Sequence, residues 1–236
     1  MSKDPSRTSS KAFRQAQRDK FRETIMTHSL FYAPPLMKHI PIALIYSRLL
    51  IGFGIILLSV FHIAHYSFLA ITLLSIGLLT DVFDGIIARK LNISSEKLRR
   101  LDSGIDQVFF ISVAVATYIQ CPDFFKTNLV KLIVLGAFEA STYVLSYIKF
   151  KKEIATHSIG AKIWTLTIFA TLVEIMVHCE SVVLFELCFW IGVVTRIEIL
   201  AIVITLKKWT NDVPSFYHAI KLRQGKEIKR NKLFNG

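Results

Sequence analysis

The chain has 236 residues, of which 53% are hydrophobic and only 19% charged. A soluble domain carries about a quarter charged residues, so this composition excludes an ordinary soluble globular protein and, more firmly, a disordered chain. The 29 Lys and Arg against 17 Asp and Glu leave a net charge of +12. In so apolar a chain that excess points to cytoplasmic loops and anionic lipid rather than to nucleic acid.

Residues 1–30 are polar and basic and lack an apolar run ahead of a small-residue cleavage site, so they do not read as a signal peptide. Basic residues and glutamines recur there at helical spacing, with Phe13, Phe21, Ile25 and Met26 as apolar anchors. The segment reads as a partly helical juxtamembrane arm on anionic headgroups, or equally as a solvated basic tail. Pro34 and Pro35 break any helix that reaches them.

Six apolar stretches follow, at 41–64, 67–88, 103–121, 126–150, 160–178 and 182–207. Each is long enough to span a bilayer as a helix. The sequence therefore predicts an all-α polytopic membrane protein with six transmembrane helices after an N-terminal juxtamembrane segment. It divides into a basic arm (1–30), a membrane domain (31–208) and a basic C-terminal tail (209–236).

The distribution of Lys and Arg orients these spans. Eight lie before the first span, five in 89–102, four in 149–162 and eight from Lys207 onward. The other side holds only Lys126 and Lys131. Both termini and both basic loops are thus expected on the cytoplasmic side.

Charges within the spans are costly and are usually paired or functional. Arg196 is expected to pair with Glu139 or Glu198; Glu174 is the third intramembrane acid. His62 and His65 read as interfacial residues rather than metal ligands. Cys121, Cys179 and Cys188 have no metal-site spacing and read as ordinary thiols, with a Cys121–Cys179 bridge left open.

The informative stretch is Asp81 to Asp106. Asp81, Asp84, Gly85 and Ala88 share an arc of about 100° on a helix. Asp102 and Asp106 are one turn apart on the next helix. Four carboxylates at one depth repel one another unless cations neutralise them. Hard oxygen ligands without Cys or His favour Mg²⁺, Mn²⁺ or Ca²⁺ over zinc. Gly85 and Ala88 leave room for a ligand against the helix, and Arg89 is placed to hold phosphate oxygens. This pattern suits metal-assisted phosphoryl transfer at a membrane surface.

At these residues the sequence resembles the CDP-alcohol phosphotransferases, whose signature is D-x2-D-G-x2-A-R-x8-G-x3-D-x3-D. Asp81, Asp84, Gly85, Ala88, Arg89, Asp102 and Asp106 match, and Leu98 replaces the second glycine. Pro41 and Arg48 keep the spacing of the family's first-span motif, with Ile42 and Ile45 in place of its polar residues. Lys162 and Thr165 match the family's fifth span, with Ala161 in place of a glycine. The resemblance implies six membrane helices and a homodimer. It implies that Asp81, Asp84, Asp102 and Asp106 bind Mg²⁺ or Mn²⁺ and that Asp106 is the general base. Asp81, Gly85, Ala88 and Arg89 would line the nucleotide and diphosphate site. Leu98 would make cytidine sit differently, displace the loop, or mark a member that no longer binds CDP.

Arg48, Arg99, Arg100 and Lys162 are the candidate substrate contacts, and Arg48 lies at the depth of the aspartates, roughly 10 Å from Pro41. The basic loop residues suit an acceptor that carries phosphate, although the positive-inside rule explains them equally well. The expected reaction moves a phosphatidyl group from CDP-diacylglycerol to a polar alcohol and releases CMP. The alternatives are transfer from a soluble CDP-alcohol to diacylglycerol, a divalent-cation or proton transporter, and a non-catalytic scaffold.

Overall fold

In the computed structural model the described residues are 39–226, apart from 92, 94, 153–157, 211 and 212, together with 228. The basic arm at 1–30 lies outside them. The described residues from Pro41 onward form one unit. The described residues contain eight helices and no strand: α1 (Ile40–Val60), α2 (Tyr66–Lys90), α3 (Glu96–Gln120), α4 (Pro122–Thr127), α5 (Leu129–Phe150), α6 (Ile159–His178), α7 (Val183–Thr205) and α8 (Phe216–Arg223).

Local chemistry sets the boundaries. The Ser95 hydroxyl accepts from the Leu98 N–H (3.2 Å) and caps α3, and Ser158 caps α6 through Ala161 (3.1 Å). Cys121 breaks out of helical geometry and Pro122 opens α4, where its missing N–H costs nothing. The α1–α2 turn is closed by exposed His62 and His65 at positive φ (48° and 60°).

Among the described residues, five helices are long and apolar enough to cross a membrane: α1, α2, α5, α6 and α7. The sixth expected span is α3, whose first half carries Asp102, Asp106 and Gln107 and is correspondingly less apolar. Still, α3 runs alongside α1 from end to end. Arg48 meets Asp102 at one end, and Ser59 donates to the Ala116 carbonyl (2.7 Å) at the other.

Buried positions fall on single stripes. On α1 they are Pro41, Ile45, Arg48, Gly52, Ile55 and Ser59; on α2 they are Tyr66, Ala70, Leu74, Gly77, Asp84 and Ala88. The stripes meet α3 through Phe109, Val113 and Ala116, with Leu172 and Met176 of α6 closing the core. Gly52 and Gly77 make the approach possible. A Cβ on Gly52 would lie 3.2 Å from Ser112, and one on Gly77 would run into the Phe109 ring. Small residues at crossings are the usual means of close helix packing in a bilayer. Outward faces remain apolar, with Leu50, Phe68 and Val130 among the most exposed side chains.

The cysteines depart from the reading as plain thiols. Cys121 at the end of α3 and Cys179 at the end of α6 form a disulfide (Cα–Cα 5.2 Å), and Cys188 is free and buried. The sequence leaves that bridge open, since a separation of 58 residues does not decide it; the packing of α3 on α6 brings the two together.

The chain after α7 turns back onto the bundle. Val213 and Ala219 are fully buried with Ile202 and Leu206, against Phe150 and Leu222. The Ile159 N–H donates to the Pro214 carbonyl (3.2 Å). Glu198 accepts from the Phe216 N–H (3.3 Å) at the start of α8.

Candidate active site

The last turns of α2 and the first turns of α3 bring four carboxylates to one end of the bundle. On α2, Asp84 lies on the buried stripe between Gly77 and Ala88, with half-buried Asp81 one turn before it. On α3, Asp102 and Asp106 project from the same side one turn apart. Between the two pairs stands the guanidinium of Arg48, wholly buried on the inward stripe of α1.

Each terminal nitrogen of Arg48 engages one acid from each helix. Nη1 meets Asp81 (2.9 Å) and Asp106; Nη2 meets Asp84 (2.5 Å) and Asp102 (2.5 Å). The guanidinium fork offers four N–H groups at these nitrogens, one for each carboxylate. Its fifth donor, Nε, is buried without a hydrogen-bond partner.

The four acids differ in access. The Asp84 side chain is 3% exposed, whereas those of Asp81, Asp102 and Asp106 are 37%, 22% and 26% exposed. One oxygen from each of these three more open carboxylates lies within 4.8 Å of the others, a cluster able to hold a metal ion. One guanidinium offsets a single negative charge of four, so the donor set fits a hard divalent cation such as Mg²⁺ or Mn²⁺.

Cations line the approach. Arg89 lies along the Gly85 face, where a Cβ would be 3.4 Å from its Nη1, and Ala88 is buried beside it. Lys162, on the first turn of α6, is near enough to Arg89 and Asp81 to interact with both electrostatically. Arg99 acts on Asp102 in the same way. Arg100 is half-buried near the start of α3. Leu98 is half-buried at the third position of α3, with its N–H already taken by Ser95.

A second polar cluster begins at the residue after Asp106. Gln107 accepts from the Tyr143 hydroxyl (2.6 Å) and reaches Glu139 through a long contact (3.5 Å). Glu139 pairs with Arg196 and is one of the two partners expected for it from the sequence, and Arg196 stacks over Trp164 (4.6 Å). The roles of Gln107 and Tyr143 escaped the sequence reading. Their only signal was polarity on apolar helices. Glu174 accepts from Ser181 (2.5 Å) at the other end of α6.

A family profile described as CDP-alcohol phosphatidyltransferase matches residues 38–207, well over half of the chain. Nothing matches the chain among curated proteins or among solved structures. The chain belongs to the CDP-alcohol phosphatidyltransferase family. It is accordingly a multi-pass membrane transferase of phospholipid synthesis, acting on a CDP-alcohol and an alcohol acceptor.

Proposed function

We propose that this transferase moves a phosphatidyl group from CDP-diacylglycerol to a polar alcohol and releases CMP. The observation that carries the reading is the convergence of Asp81, Asp84, Asp102 and Asp106 at one end of the bundle, with Gly85, Ala88 and Arg89 on the adjoining face. Asp81, Asp84, Asp102 and Asp106 would hold Mg²⁺ or Mn²⁺. When bound, the ion supplies charge neutralisation to the diphosphate and to CMP as it leaves.

The chain's own groups do the rest. Arg89 and Lys162 bind diphosphate oxygens, and the small side of α2 at Gly85 and Ala88 admits the nucleotide. Asp106 accepts the proton of the acceptor hydroxyl. The hydroxyl oxygen forms a bond to the β-phosphorus, the bond from that phosphorus to the bridging oxygen breaks, and CMP departs with the electron pair. Arg99 and Arg100 are positioned on the first turn of α3 for an acceptor that carries charge. A donor with lipid tails enters from the exposed apolar flank, and the polar acceptor enters from water.

The aspartate end is assigned to the cytoplasmic side, along with both termini. Two features support this: the concentration of Lys and Arg in the loops at that end, and the Cys121–Cys179 bridge at the other, since disulfides persist in oxidising compartments.

The test is CMP release from CDP-diacylglycerol by the purified protein with Mg²⁺ or Mn²⁺. The acceptor panel is glycerol 3-phosphate, inositol phosphate, inositol, serine and phosphatidylglycerol. Release with one acceptor names the product. Asp106→Asn should keep CDP-lipid binding and lower turnover by about a hundredfold to ten-thousandfold, the range of a lost general base. Full turnover by that variant would remove Asp106 from the role.

A further inference from the structure

The fork of Arg48 is matched donor for donor to the carboxylates assigned to the metal, and this raises a question about the metal itself. Any divalent ion held by Asp81, Asp102 and Asp106 must share those groups with a guanidinium already hydrogen-bonded to one oxygen of each. Arg48 cannot move aside easily. It is fully buried on the stripe between Ile45 and Gly52, and a Cβ at Gly52 would already crowd Ser112. Asp84, nearly sealed from solvent, anchors Nη2 from the inner side.

We propose that Arg48 is a resident counter-cation with two opposed effects: it holds α2 and α3 together before the metal arrives, and it weakens the metal's binding. It is a positioning residue rather than a substrate contact. The proposal rests on the assignment of the aspartates as metal ligands made above.

The physical argument has two sides. Without a cation, four carboxylates at one end of two helices repel, and a bidentate guanidinium is the side chain best shaped to join them. With a divalent ion a few ångströms away, that same positive charge opposes the ion. At an effective dielectric between water and a protein surface, two charges at this range interact strongly enough to change affinity by about tenfold or more. The site thereby gains a preformed geometry and loses tightness of binding. A metal-loaded site with a permanent cation beside it also keeps its net charge low enough to accept and release a diphosphate ligand.

The test uses the full-length protein in detergent micelles, with Mn²⁺ as the probe. Binding is read from the electron paramagnetic resonance signal of free Mn²⁺, and stability from the thermal midpoint in EDTA and in Mn²⁺. Arg48→Gln keeps donors for the carboxylates and removes the charge; Arg48→Lys keeps the charge. The expected result is that Arg48→Gln binds Mn²⁺ about tenfold more tightly than the wild type while its midpoint in EDTA falls. Mn²⁺ should then raise its midpoint further than that of the wild type, because at a given concentration a ligand's stabilisation grows with the logarithm of its affinity. Arg48→Lys should bind Mn²⁺ like the wild type.

Equal or weaker Mn²⁺ binding by Arg48→Gln would overturn the proposal, as would the same change in both variants. A glutamine variant that folds only in Mn²⁺ would support it. If that variant does not fold in either condition, Arg48→Lys decides: wild-type affinity supports the charge argument, and a clear change overturns it. Failure of the wild type to bind Mn²⁺ would overturn the metal assignment and this proposal with it, whereas binding insensitive to Arg48→Gln would remove only the proposal.

Discussion

The two ends of the α1–α2–α3 unit are tied by different chemistry. At the aspartate end, one guanidinium joins four carboxylates from two helices. At the far end the ties are neutral. Ser59 donates to the Ala116 carbonyl (2.7 Å), Gln120 donates to the Ser59 carbonyl (2.9 Å), and the Cys121–Cys179 bridge fixes α3 to α6. Neutral hydrogen bonds and covalent links hold without regard to added ions. Ionic ties depend on every charge that enters. The contrast separates a permanent frame from an end whose energy changes with its ligands.

That separation can be broken by substitution. The largest effect belongs at the ionic end. Asp81→Ala or Asp84→Ala should lower metal-dependent CMP release by about a thousandfold or more, because a bound ion supplies several kcal/mol of charge stabilisation. Turnover in both variants at wild-type rates would refute the metal assignment. Next comes the double change Cys121→Ser with Cys179→Ser. The bridge closes a separation of 58 residues. Its loss should destabilise the chain by up to about 4 kcal/mol in the chain-entropy account. Metal-dependent turnover below the new thermal midpoint should stay within about twofold of the wild type, since a bridge of this kind acts mainly on the unfolded chain. A matching fall in turnover would mean that the two ends are mechanically coupled. The smallest effect is that of Ser59→Ala, which removes the hydroxyl's bond to the Ala116 carbonyl and the one it accepts from Gln120 (3.2 Å), and should cost about 1–2 kcal/mol in a thermal or denaturant midpoint, with no change in Mn²⁺ affinity.

Much of this arrangement could be read from the chain. The aspartate spacings, and the small residues beside Asp84, placed the acids on one face of each helix before any coordinates. The depth of Arg48 placed it at their level. What the sequence did not contain was direction: that Arg48 points between the pairs, using one N–H for each acid, follows only from how α1 packs through Gly52 against α3. The Cys121–Cys179 bridge stays only an open possibility in the sequence for the same reason, because spacing along a chain does not give proximity between helix ends. The sixth span shows a different limit. The residues that make α3 useful, Asp102, Asp106 and Gln107, are the ones that lower its apolarity, so α3 falls outside the helices that qualify as spans by composition.

The return of the chain at Val213 sets a boundary of another kind. Glu198 lies within α7, yet its carboxylate receives the first N–H of α8, and Ala219 covers Ile202 and Leu206. Cutting the chain after Lys208 would leave an acid in the last third of α7 without that donor and would uncover the apolar surface of Ile202 and Leu206 beside Phe150. A shortened protein would then tend to self-associate through that surface in detergent, even with every residue of the aspartate site in place.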